Sequence, residues 1–225
     1  MAAGLNRVYV ADTNADRVRV FDAGGAAIAV LGDKKGVAKL NKPAGLALDA
    51  SGNILIADAN NKRVVKLSPA GAFLAEYGQG VLSRPVAVTL SAGRVVVADA
   101  KAGQLVLFSE DGALLARGDL PPAAGPDEDP EEPRPVALAA DAAGNVWVAD
   151  AKGGRVLRYT PGLALAQTIP GFPRPEGVAV SPSGTCLAVS DSKTSRIRTF
   201  DAELGAGLAA FGAHGNIVET KPLPA

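Results

Sequence analysis

The stretch Pro43-Ala-Gly-Leu-Ala-Leu-Asp-Ala-Ser-Gly-Asn-Ile-Leu-Ile-Ala-Asp-Ala-Asn-Asn-Lys-Arg-Val-Val-Lys-Leu67 holds, in order, most of the parts that recur along the chain. An alternating apolar run, Gly45-Leu46-Ala47-Leu48-Asp49, predicts a first strand. Ser51-Gly52-Asn53 predicts a tight turn, because glycine supplies the positive φ that hairpin turns demand. A second apolar run ends in Ala57-Asp58, and a short polar turn leads to a third strand closing at Leu67.

Five segments end in this apolar-small-Asp pattern, at Asp12, Asp58, Asp99, Asp150 and Asp191. Their spacings of 46, 41, 51 and 41 residues match the period of a propeller blade, about 40–50 residues. A proline opens four of the five copies (Pro43, Pro85, Pro135 and Pro175), and glycine-bearing turns recur at Gly52, Gly93, Gly144 and Gly184. A short fourth strand closes at Gly32, Gly78, Gly118, Gly171 and Gly212. The residue nine after each Asp is large (Phe21, Leu67, Phe108, Tyr159, Phe200) and is expected to fill the space between neighbouring units. Such units cannot bury both faces alone, so copies must stack. The reading is all-β: a β-propeller of five four-stranded blades in a single domain over residues 1–225. Its repeats lie near 1–32, 43–78, 85–118, 135–171 and 175–212, with a tail at 213–225.

The first copy begins abruptly, since Met1 to Asn6 leave no room for a Pro-initiated first strand. The first blade is therefore expected to be incomplete. Three outcomes stay open: closure by the tail, with Ile217 to Thr220 as the missing strand, an open arc, or completion by a partner chain. An arc would expose strand edges and an apolar face.

The 43–67 string resembles the NHL repeat almost position by position, and the resemblance extends over roughly residues 5–212. It implies a propeller, usually of six blades in that family, serving most often as a platform for protein or RNA partners. Some relatives are enzymes, among them peptidylglycine amidating lyases and the more distant gluconolactonase-like and strictosidine-synthase-like propellers. The family's Arg five residues after the Asp stands at Arg17, Arg63, Arg155 and Arg196, with Gln104 in the third copy. The Gly after the opening Pro is replaced by Val86 and Val136 in the third and fourth copies.

The chain carries 23 basic and 23 acidic residues. That balance disfavours an RNA partner, because phosphate binding usually draws on a positive excess. A single cysteine and the lack of an apolar leader point to an intracellular, cytoplasmic location, with a cilium or another large cytoskeletal assembly among the homes considered. His214 is the only histidine, so a His-based zinc site cannot be assembled, and Cys186 reads as a small buried hydrophobe. No Ser/His/Asp set is available, because His214 falls in the tail. A turn role for Asp49 and Asp141, at strand ends, is expected ahead of a calcium site of oxygen ligands. No catalytic residue, metal or cofactor is expected.

The recurring Asp and Arg are read as a structural pair, the Asp accepting turn N–H groups and binding the Arg five residues on. Two inter-blade segments are the candidate partner-binding sites: a basic one with Lys34, Lys35, Lys39 and Lys42, and an acidic one with Asp127, Glu128, Asp129, Glu131 and Glu132. The expected function is a non-catalytic protein-interaction scaffold, a subunit of a larger assembly. An RNA-binding NHL domain is the alternative and a metal-dependent propeller hydrolase or lyase the second.

Overall fold

The computed structural model describes residues 1–4, 6–32, 38–122, 133–202, 207–212 and 217–219. Five antiparallel sheets follow one another along the chain. Blade one holds β1 (Ala2–Gly4), β2 (Arg7–Asp12), β3 (Arg17–Asp22) and β4 (Ala27–Leu31). Blade two holds β5 (Pro43–Leu48), β6 (Ile54–Asp58), β7 (Arg63–Leu67) and β8 (Phe73–Tyr77). Blade three holds β9 (Pro85–Ser91), β10 (Arg94–Asp99), β11 (Gln104–Phe108) and β12 (Leu114–Asp119). Blade four holds β13 (Pro135–Ala140), β14 (Val146–Asp150), β15 (Arg155–Tyr159) and β16 (Leu165–Pro170). Blade five holds β17 (Pro175–Val180), β18 (Cys186–Asp191), β19 (Arg196–Asp201), β20 (Gly207–Gly212) and β21 (Ile217–Glu219). The fold is a β-propeller of five blades, and the chain divides into two compact units, residues 1–117 and 118–225.

The second strands explain the near-continuous apolar runs. In β6, Ile54 and Ile56 pack with blade one while Leu55 and Ala57 pack with blade three. A strand covered on both faces has no solvent side, so the period-two alternation disappears. The outer strands behave oppositely: Ile28, Val30, Leu74, Leu115 and Leu165 are exposed. Four of the large residues nine after the Asp are buried: Leu67, Phe108, Tyr159 and Phe200. Phe108 meets Tyr77 of blade two at 6.3 Å between ring centroids, and Phe200 meets Phe172 edge-on at 5.2 Å. Phe21 is only half-buried, with the Arg19 guanidinium 4.9 Å above its ring.

Each opening proline stands opposite the repeated Asp: Pro43 to Asp58, Pro85 to Asp99, Pro135 to Asp150 and Pro175 to Asp191. The ladder register shifts beside all four of these pairs. Proline has no N–H to give the ladder, so the pairing breaks there and another acceptor must hold the chain. At Gly45 a Cβ would lie 2.5 Å from Ala87 Cα and 2.8 Å from the Val86 carbonyl oxygen. The inner strands of blades two and three therefore meet main chain to main chain, which only glycine permits.

Three expectations change. The first blade is not short of a strand, because Ala2–Gly4 pairs with β2 through Ala2–Tyr9, Ala3–Val8 and Gly4–Arg7. Three residues suffice for this inner strand, which needs no proline to start. The segment Ile217–Glu219 does not complete blade one; it pairs with β20 as a fifth strand of blade five. Cys186 is half-buried rather than buried, at the start of β18.

Candidate functional site

The repeated Asp is a main-chain clamp. Asp99 accepts from the N–H groups of Ser83 (2.5 Å) and Arg84 (2.8 Å). Asp150 accepts from Arg134 N (2.8 Å) and Gly153 N (3.1 Å), and Asp191 from Arg174 N and Thr194 N (both 2.9 Å). Asp58 accepts from Asn41 N at 2.7 Å, one residue earlier than in the other copies. The displaced Lys42, at φ +54°, sends its N–H to Asp16 of blade one instead (2.8 Å). Asp58, Asp99, Asp150 and Asp191 are all buried. Burial works to raise the Asp191 pKa, yet the backbone bonds from Arg174, Thr194 and Lys193 and the Thr194 hydroxyl outweigh it, and the group ends below its ordinary value.

The expected Asp–Arg pairing forms three times: Asp12–Arg17 at 2.9 Å, Asp58–Arg63 at 3.1 Å and Asp150–Arg155 at 3.0 Å. In blade five Arg196 is exposed, and no salt bridge to Asp191 occurs among the described residues. Asp191 keeps its turn by N–H bonds and the Thr194 hydroxyl, and Asp99, whose blade has Gln104, by N–H bonds. The Asp is thus the constant element of the clamp and the Arg an accessory to it.

The clamp has a further property that the sequence reading missed. The residue before the opening proline is a cation in all four Pro-initiated copies: Lys42, Arg84, Arg134 and Arg174. Its N–H is bound to a carboxylate in every case, while its side chain points elsewhere. Arg84, Arg134 and Arg174 are exposed; Arg174 pairs with the equally exposed Glu176 at 3.0 Å. Lys42 Nζ donates to the Asn14 side-chain oxygen at 3.2 Å. In a four-stranded antiparallel blade these residues share one end with the turn between second and third strands. In residues 1–117 that end carries the exposed Lys39, Lys62, Arg84 and Lys101. Lys42 and Arg84 line a single concavity of about 290 Å³ there, with Thr13, Asn60 and Val86. Within residues 118–225 the same end of blades four and five carries Arg134, Lys152, Arg174, Lys193 and Arg196.

The opposite blade ends have another character. A cleft of about 390 Å³ lies between blades two and three, walled by Leu55, Val95 and Tyr77 and holding Asp49, Lys66 and Glu110. Lys66 Nζ binds Asp49 at 2.9 Å, and Asp49 also accepts from Ser51 N, Asn53 N and Asn53 Nδ2 at 2.8–2.9 Å. Burial pushes Asp49 up, but Lys66 and Asn53 more than reverse this and leave its carboxyl below the usual range. The hydrogen bond to Asp49 raises Lys66 against the opposing effect of burial. Burial also raises Tyr77, whose hydroxyl donates to the Glu110 carbonyl oxygen at 3.0 Å.

Of the residues singled out from sequence, Lys39 and Lys42 stand at the cationic blade end, where Lys39 also gives its carbonyl oxygen to Arg63 and Asn61. Lys34, Lys35, Asp127, Glu128, Asp129, Glu131 and Glu132 lie outside the described residues, as does His214. Among the described residues, no group of three or more His, Cys, Asp or Glu side chains is placed to hold a metal ion. Among them too, no helix is long and apolar enough to cross a membrane.

Comparison with known proteins agrees with this architecture. The sequence profile of the NHL repeat matches residues 40–67. Blade two therefore carries the NHL repeat pattern, and the other four blades of this β-propeller follow the same strand plan. The protein called brain tumor from Drosophila melanogaster is 28% identical over 114 residues, which are 49% of this chain and 11% of that protein. Among solved structures, one of a nidogen/laminin complex superposes with a TM-score of 0.73 at 19% identity, covering 94% of this chain and 78% of that one. A streptogramin B lyase does so with a TM-score of 0.71 at 17% identity, covering 96% of this chain and 73% of that one. At such identities the likeness is one of fold.

Proposed function

We propose that this protein is a non-catalytic interaction scaffold whose working surface is the cationic blade end within residues 1–117, and that it engages an acidic segment of a protein partner there. The observation that carries the reading is the divided role of Lys42, Arg84, Arg134 and Arg174. Their backbones are held by carboxylates while their side chains reach the surface, where Lys42 makes one exposed hydrogen bond to Asn14 and Arg174 one exposed pair with Glu176. Exposed charges with few or only solvent-screened internal bonds are available for recognition, and a rigid scaffold lowers the ordering cost of using them. The acidic segment with Asp127, Glu128, Asp129, Glu131 and Glu132 and the lysines at 34 and 35 are further candidates for partner contact, on their charge alone. Membership of a larger intracellular assembly, cytoplasmic or ciliary, belongs to the same proposal.

The test is affinity purification of the intact protein against a Lys42→Glu/Arg84→Glu variant, with Arg94→Glu as the control at the opposite blade end. Loss of the co-purifying proteins from the double variant alone supports the reading, and identical recovery from all three overturns it. RNA binding is the second reading, favoured by the same cations and disfavoured by the zero net charge. It requires affinity for single-stranded RNA whose salt dependence falls by about one unit of slope per cation removed.

A further inference from the structure

We infer that the cleft between blades two and three is a receptor site for a basic side chain: a guanidinium or ammonium group on an apolar stem, presented by an extended partner segment. The first observation is compositional. Lys66 stands eight residues after its repeated Asp, where the other copies have Val20, Leu107, Arg158 and Thr199. Glu110 stands eleven after its Asp, where the others have Ala23, Pro69, Pro161 and Ala202. Repeat drift has placed charge at both positions in this one cleft.

The second observation is electrostatic. The Lys66 ammonium is already committed to Asp49 at 2.9 Å, and both side chains are about 15% exposed. Their charges cancel locally. Glu110 is exposed at the mouth, where its charge also raises Lys66, and no hydrogen bond or salt bridge fixes its carboxylate among the described residues. Asp111 stands beside it, its carboxyl lowered by the hydrogen bond from Ser109. The cleft is therefore net negative at its rim. Below the rim its reachable apolar wall is the half-buried Leu48 and Leu90, with Leu55, Val95 and Tyr77 buried behind them. An apolar throat under an anionic lip is the inverse shape of an arginine or lysine side chain, whose methylenes bury while the head stays at the polar edge. A carboxylate ligand would instead have to displace Asp49 from Lys66 and pass Glu110.

This site is independent of the cationic blade end, and its test can fail without touching that reading. Isotope-labelled protein is titrated separately with n-butylguanidinium, n-butylammonium, n-butyrate and n-butanol, and the amide resonances are followed. The two cations should move the signals of Asp49, Ser51, Lys66, Gly93 and Glu110 with weak, saturable affinity, and n-butyrate should not. Glu110→Gln should weaken both cations about threefold, the measure of one partly exposed charge pair. Lys66→Met should leave cation binding equal or stronger. Three results would overturn the inference: no movement with either cation, butyrate or butanol binding as well as the cations, or indifference to Glu110→Gln in a folded variant.

Discussion

The clamp in blade four offers the sharpest test of how this propeller is held together. Asp150 is fully buried and accepts from Arg134 N, Gly153 N and Arg155 Nε. Arg155 is itself buried and additionally donates to the Pro121 and Pro122 carbonyls. Asp150→Ala removes the only carboxylate bonded to that guanidinium among the described residues and orphans two N–H groups. Breaking a buried pair from one side costs about 3–5 kcal/mol, because the remaining charge stays desolvated. Asp12 gives the contrast: it forms the same pair with Arg17 at 2.9 Å, but the two side chains are 30% and 43% exposed. Water screens that pair, so Asp12→Ala should cost about 1 kcal/mol or less. Urea denaturation followed by far-ultraviolet circular dichroism compares the two. Trp147, the sole tryptophan and fully buried in blade four, adds a local fluorescence probe. Adding Arg155→Met to Asp150→Ala should recover part of the loss, since the uncompensated cation goes with it. Equal costs for Asp12→Ala and Asp150→Ala, or no recovery in the double variant, would refute the argument that burial and desolvation set the strength of each clamp.

Other outcomes follow from the same structure. Gly45→Ala should destabilise by about 1–3 kcal/mol through overpacking, because its Cβ would press on the backbone at Val86 and Ala87; the denaturation midpoint measures this. Burial pushes the Tyr159 hydroxyl up to about 12 from an ordinary value near 10. Its folded value is the higher one, so its contribution is complete below pH 10 and is lost as pH rises towards 12; Tyr159→Phe should remove that alkaline loss. Asp191 is shifted the other way, so its contribution is present above the usual carboxylate range and disappears as pH falls below about 4. An acid titration of stability should be flatter in Asp191→Asn than in the unaltered protein.

The blade plan was legible in the sequence because its signals are local. Gly52, for example, closes its turn at φ +79° with its N–H on the Asp49 carbonyl. The large residue nine after each Asp was legible for the same reason, since a fixed offset in a strand fixes the face it occupies. The inner strand of blade one was not legible, because Ala2–Gly4 lacks both the proline and the apolar alternation, and only its partner β2 makes it a strand. The pairing of Ile217–Glu219 with β20 is likewise set by a neighbour rather than by its own three residues. At the site, Lys39 and Lys42 were found by their charge. Arg84, Arg134 and Arg174 were passed over, because each lies alone in sequence and is related to the others only through the proline it precedes. The cleft was invisible for a further reason: Asp49, Lys66 and Glu110 come from two blades, and no local pattern unites them.

The residue ahead of each opening proline divides its labour in a way that bears on how such a protein changes over time. Its amide, which every amino acid but proline possesses, secures the blade; its side chain contributes little to that task. Replacing Arg84 by another residue should therefore leave the architecture intact while rewriting what the surface presents. These positions act as interchangeable letters set in a fixed frame, so that new partners can be gained or lost without the protein having to find a new way to fold.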